Sequence, residues 1–182
     1  MRNAALLGTR LVLGGYLAVH GAQKLFGSFG GPGLDRVAQG FEHLGLTPGR
    51  QMAILAGATE LGGGILTAAG IADPLGPVAI IGAMSVASTT HRANGALAAK
   101  GGYELPLTNL AAAASLAAAG PGRFRLGPSL PAPLVRVVVV VGAALGALSL
   151  SKLLSAKPQP GSPAAEPQAP AAEAEEAVPR TA

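Results

Sequence analysis

The sequence predicts an all-α fold, a polytopic bundle of membrane helices, and three observations carry that prediction. Only 12% of the 182 residues are charged, about half of the roughly 25% usual in soluble domains. Those charges gather in short clusters that separate five apolar blocks. The third and fifth blocks lack the polar stripe at helical spacing that a water-soluble bundle requires.

The first block, Ala4 to Phe26, is interrupted by Thr9, Arg10 and a His20–Lys24 cluster. Its Met-Arg start resembles a secretory signal. Arg10 lies inside the run, however, the small-residue cleavage pattern is poor, and apolar character continues to Phe26, so a retained membrane helix is expected. Met52 to Ile71 follows with a single acid, Glu60, and with Gly57, Gly62, Gly63 and Gly64, whose small size permits close helix packing. Leu75 to Thr90 carries no charge, and Leu105 to Ala119 forms the fourth block. Leu134 to Leu154 is the fifth, with Arg136 and Lys152 near its ends and Gly142 and Gly146 at a GxxxG spacing suited to helix pairing. A bilayer core takes about 20 helical residues. Blocks one, two and five reach that length; three and four draw on flanking residues.

Between the first two blocks, an amphipathic helix is expected near residues 34–45. Leu34, Val37, Ala38, Phe41 and Leu44 share one face, and Asp35, Arg36, Gln39, Glu42 and His43 the other, as in a segment lying in the membrane interface. Glu42 and His43 read as a wetted face. Gly45 is the expected stop, followed by Thr47 as N-cap and Pro48 at the first helical position. The organisation is thus a core over residues 4–130, an additional apolar helix over 131–155, expected to cross the membrane, and a tail over 156–182. The Pro/Ala/Glu-rich tail has almost nothing large to bury and is expected to be disordered, its glutamates (Glu166, Glu173, Glu175, Glu176) solvated.

The absence of cysteine excludes disulfides, thiolate chemistry and Cys-ligated metals or clusters. No metal site and no catalytic set stands out. The net charge is +4, but Lys and Arg neither form a dense run nor interleave with aromatics, which argues against nucleic acid and suits membrane lipid better. "GGPG" and "GGG" lack the strand–turn–helix setting of a nucleotide site.

The candidate site is a polar cluster within the apolar blocks. His20, Gln23 and Lys24 are three and four residues apart and share a helix face. Glu60, about nine residues into its block, is the most deeply placed acid. Ionisable groups at such depth are costly, face the protein interior, and pair or function. Lys24 or His20 is the expected partner; the alternative is a protonated Glu60, since burial raises a carboxyl pKa. His91 and Arg92 close the third block and join the cluster if they emerge on the same side. The residues alone leave two readings level: a small pocket for a quinone head group, a proton or a small solute, or a structural lock that fixes helix register.

"HGAQKLFGSFGG" (20–31), "AGATELGGGILTAAG" (56–70), "HRANG" (91–95) and "GPGRFRLG" (120–127) together resemble the DoxX family of small bacterial membrane proteins, in both order and spacing. The resemblance covers roughly residues 4 to 130. Its motif positions here are His20, Gln23, Lys24, Phe26, Gly27, Glu60, Gly63, His91, Gly120, Gly122 and Arg123. It implies a four-helix core in the bacterial plasma membrane with an amphipathic segment after the first helix. It further implies an association with membrane redox systems, quinone-linked or tied to thiol and oxidative stress. On that basis the expected role is an accessory or anchoring subunit for a membrane or soluble oxidoreductase, not an enzyme acting alone, with a diffusible quinone as the only implied cofactor. A small-solute or proton carrier, which would call for a homo-oligomer, and a structural assembly protein are the alternatives. The fifth block and the tail depart from the family pattern. With five spans and an inside N-terminus, Arg2, Arg10, Arg123, Arg125 and Arg136 lie inside and the other eight Lys and Arg outside. The positive-inside rule alone therefore favours an outside N-terminus, and the resemblance an inside one.

Overall fold

The computed structural model describes residues 1–155, and these are all-helical. The tail expected over 156–182 lies outside the described residues. Six helices follow one another: α1 (Arg2–Phe26), α2 (Gly33–His43), α3 (Gly49–Ala69), α4 (Leu75–Thr90), α5 (Glu104–Ala119) and α6 (Ala132–Ser155). Each long helix matches an apolar block to within a few residues, because the charge clusters and glycines that bound the blocks also end the helices. Gly27 and Gly70 close α1 and α3 in the left-handed conformation, at φ 68° and 65°, where a side chain would be strained. The N-cap expectation at Thr47 is corrected: Pro48 is extended (ψ 129°) and takes the cap position itself, Gly49 opens the helix, and no side chain caps it.

The helices α1, α3, α4 and α5 alternate in direction. One end of the bundle gathers the N-terminus, the α3–α4 turn and the 120–131 loop; the other gathers residues 27–48 and 91–103. The pairing of α1 with α3 is made through glycine. A Cβ added at Gly14 would lie 2.5 Å from the carbonyl oxygen of Gly64, and one added at Gly64 would lie 2.5 Å from that of Gly14. Two turns on, Gly21 stands in the same relation to Gly57 and Leu61. Gly63 faces the opposite way and lets α4 in, with Ala79 and Ile80 as neighbours. Gly142 of α6 sits against Val78 of α4, so α6 starts beside the start of α4 and runs parallel to it. Gly146 lies in α6, but its surroundings fall outside the described residues.

Large apolar side chains are distributed in a way that water would not favour. A small core of Leu13, Leu17, Ile80, Met84, Ala113 and Leu116 holds α1, α4 and α5 together. Leu11, Val12, Ile54, Leu55, Ile65, Leu107 and Val137 are all exposed on the outer faces. Small residues inside and large apolar residues outside is the arrangement of helices packed in lipid. By length and composition together, α3 is the one described helix long and apolar enough to cross a membrane, at 21 residues. α1 is longer at 25 residues but carries Arg2, Arg10 and Lys24. α4 and α5 have 16 residues each, about 24 Å of helix against a hydrocarbon core of about 30 Å.

Two glycines two positions apart, alike in kind but not in setting, test this packing. Gly62 faces open space, so Gly62→Ala should stabilise the helix by about 0.5–1 kcal/mol. Gly64→Ala must separate α1 from α3 and should lower the thermal midpoint in detergent. A Gly64→Ala protein as stable as the wild type would overturn the backbone-to-backbone contact.

Candidate functional site

Two polar centres lie inside this apolar frame. The first forms where the C-terminal part of α1 passes the middle of α3. Helical side chains lean toward their own N-terminus, so Lys24, in the last turn of α1, reaches inward to the level of Glu60. The Lys24 Nζ donates to Glu60 Oε1 at 2.5 Å. Glu60 is buried, 3% exposed, while the Lys24 side chain keeps 26% exposure and so connects the pair to the surface. The contact depends on the glycines at 21 and 57, which draw the two helices together between these residues.

The second oxygen, Glu60 Oε2, is buried and has no partner among the described residues. A carboxylate in that position is short of one hydrogen bond, so the site has room in its chemistry for a proton or for a hydroxyl donor. His20 lies one turn before Lys24 and within electrostatic reach of both Glu60 and Lys24. Its ring meets that of Tyr16 edge-on, with centroids 4.4 Å apart. Tyr16, His20 and Lys24 thus form a stripe along one face of α1. Tyr16 in turn borders a cleft of about 380 Å³ between α1 and α5, lined also by Thr9, Val12, Leu13 and Asn109.

The remaining candidates lie apart. Gln23 packs against Gly31 in the turn after α1. His91 and Arg92 do emerge at the Lys24 end of the bundle, but both are exposed, and His91 Nδ1 contacts the carbonyl of Gly101 at 2.8 Å, which ties it to the α4–α5 connection. Among the described residues no group of His, Asp and Glu is placed to hold a metal ion.

The second centre was not among the sequence candidates. Arg10 is 3% exposed, and its guanidinium is spent entirely on backbone carbonyls. Nε donates to Thr67 O at 3.0 Å and Nη2 to Ala68 O at 2.9 Å, both in the last turn of α3. Nη1 donates to Phe124 O at 2.8 Å and also to Pro121 O, in the loop after α5. Gly70 is required beside it, since a Cβ there would stand 2.7 Å from the guanidinium carbon. The available signal was an arginine deep in an apolar run, a position tolerated only when its donors are satisfied. Across the turn, burial raises the Asp73 carboxyl above its ordinary 3.8, against the opposing pull of Arg10 and Arg125.

Removing Lys24 leaves a buried charge unpaired, so Lys24→Ala should cost about 3–5 kcal/mol, read as a fall in thermal midpoint. Lys24→Ala combined with Glu60→Gln should recover much of it; equal losses in the two proteins would exclude a charged pair. At Asp73 the fold favours the neutral acid. Its stabilising share is complete below the unfolded value and is lost as pH rises through the raised folded one. Asp73→Asn should therefore lose less stability than the wild type as pH rises above about 4; parallel pH curves would contradict the assignment.

No curated protein and no solved structure matches the chain. The family model DoxX matches residues 5–93. That stretch runs from the first turns of α1 to the turn after α4 and holds Arg10, His20, Lys24, Glu60 and His91. Over these four helices the match supports membership of the DoxX family of small helical membrane proteins.

Proposed function

We propose that this protein is an accessory or anchoring subunit of a membrane-associated redox system, with the Lys24–Glu60 pair as its proton-active centre. The observation that carries the reading is the unpartnered Glu60 Oε2, the open oxygen of a buried acid; Arg10 is fully bonded, and Thr67 Oγ1, also buried without a partner, carries no charge. A buried carboxylate with one satisfied and one open oxygen keeps an acceptor free for a hydroxyl donor. The Tyr16–His20–Lys24 stripe supplies titratable and hydrogen-bonding groups between that oxygen and the α1–α5 cleft.

Proton uptake and release accompany quinone chemistry, and a reduced quinone presents the hydroxyl donor that Glu60 Oε2 lacks. The α1–α5 cleft, apolar along Val12 and Leu13 and bordered by Tyr16, suits the body of such a molecule approaching from the lipid. Electron transfer itself would belong to a partner oxidoreductase. The setting is a multi-pass protein of a bacterial plasma membrane.

A second reading makes the pair a structural lock, and its position across the glycine-lined α1–α3 contact favours it. Glu60→Gln separates the two. Under the redox reading the variant should fold and co-purify with its oxidoreductase in gentle detergent, yet lose survival under oxidative stress by about tenfold, less than the roughly 100-fold or greater rate loss that follows removal of a proton-transfer group. Normal survival with Glu60→Gln would leave only the lock. Recovery of the wild-type protein from its native membrane with no oxidoreductase would sink the subunit assignment.

A further inference from the structure

Both ends of the bundle carry cations, but what surrounds them differs. The end holding residues 27–48 and 91–103, together with the inner pair, has Lys24, Arg36, Arg50, Arg92 and Lys100 against Asp35, Glu42, Glu60 and Glu104. Three of its four acids are engaged locally: Asp35 pairs with Arg50 at 2.5 Å, Glu60 with Lys24, and Glu104 Oε2 accepts from the backbone of Ala98. The opposite end has Arg2, Arg10, Arg123, Arg125 and Arg136 against Asp73 alone among the described residues. Arg10 is consumed by carbonyls, and Asp73 is half-buried beside it. Four exposed arginines remain, and among the described residues only the half-buried Asp73, within electrostatic reach of Arg125, lies at this end to meet them.

Their setting is fixed. The loop over residues 120–131 is pinned through its backbone: Arg123 N donates to Asn3 Oδ1 at 3.1 Å, Phe124 O accepts from Arg10, and Leu126 N donates to Ala69 O at 2.9 Å. With the backbone held inward, the side chains are presented outward in strict alternation of cation and apolar group: Arg123, Phe124, Arg125, Leu126. Phe124 and Leu126 are 52% and 83% exposed. Arg125 spends one nitrogen on Ser129 Oγ, and no described residue bonds the guanidinium of Arg123 or Arg136. Arg2, which donates to Ala119 O, and Arg136, in the first turns of α6, flank the loop on either side.

We propose that this end of the bundle docks on anionic phospholipid headgroups, with Arg123, Arg125 and Arg136 as the phosphate-contacting residues and Phe124 and Leu126 set among the acyl chains beneath. Guanidinium groups match phosphate oxygens with two parallel bonds. Apolar side chains between them distinguish a lipid surface from a soluble polyanion, which offers nothing to cover them. The site orients the protein: the N-terminus and the 120–131 loop face the leaflet surface richer in anionic lipid.

The test uses the full chain, delipidated in a neutral detergent and titrated with phosphatidylglycerol or phosphatidylcholine, with thermal midpoint and lipid retention in native mass spectrometry as readouts. Phosphatidylglycerol should raise the midpoint by at least about 3 °C, phosphatidylcholine should not, and the difference should shrink at high salt. Arg123→Gln with Arg125→Gln and Arg136→Gln should abolish the preference, and Arg36→Gln with Arg92→Gln at the other end should preserve it. Should the triple variant fail to fold, Arg136→Gln alone, at a side chain with no internal bond, should retain less than half the phosphatidylglycerol. Equal effects of the two lipids, a preference that survives the arginine changes, or the same shift from inorganic phosphate alone would each overturn the proposal.

Discussion

The structure turns on how one helix is allowed to end. An α-helix leaves its last four carbonyls without partners, and in a medium without water each unsatisfied group costs several kcal/mol. In α3 all four are met. Leu66 O accepts from Gly70 and Ile71, Thr67 O and Ala68 O accept from Arg10, and Ala69 O accepts from Leu126. Two of the four partners come from distant parts of the chain, so ending α3 correctly also fixes where α1 and the loop after α5 must lie. The same guanidinium then closes the arrangement by binding that loop's own carbonyls. One side chain thereby joins three segments, and its charge is stabilised by aligned carbonyl dipoles at a helix C-terminus.

A second constraint acts at the other end of the same helix pair. With glycine facing glycine, α1 and α3 touch through backbone, and little side-chain volume separates them. That closeness is what lets a lysine near the end of α1 reach an acid in the middle of α3. Had larger residues stood at 21 and 57, the two charges would be too far apart to compensate each other, and Glu60 would be a buried acid with two open oxygens. Packing and electrostatics are therefore a single device here.

The sequence made the helices legible because the physics that bounds an apolar block also ends a helix: glycines, prolines and charge clusters sit at both. Glu60 was legible for a similar reason, being an acid alone in an apolar run, and Lys24 because its depth matched. His91 was misjoined to them because a helix end fixes which face of the bundle a residue reaches but not which neighbour it binds; Gly101, in an irregular segment, was the nearer acceptor. Arg10 was seen as an interruption of the first block. Its role depends on carbonyls at 67, 68, 121 and 124, and backbone acceptors leave no residue-type signature. The distinction between Gly62 and Gly64 was equally hidden, since both are glycine and only the neighbouring helix tells them apart.

The Arg10 linkage has a consequence for how the protein is made. Chains emerge N-terminus first, so α1 and α3 are available to pair long before residues 121–126 exist. Until then Ala69 O has no donor, and Arg10 has two carbonyls where it will later have four. The α1–α3 hairpin is thus a partly wet intermediate, its terminus requiring water or headgroup contact at the membrane surface. Only when α5 has formed and its loop folds back over the hairpin does that end seal. Assembly is ordered by the chain itself: the last stitch in the oldest part of the bundle is supplied by one of its youngest loops.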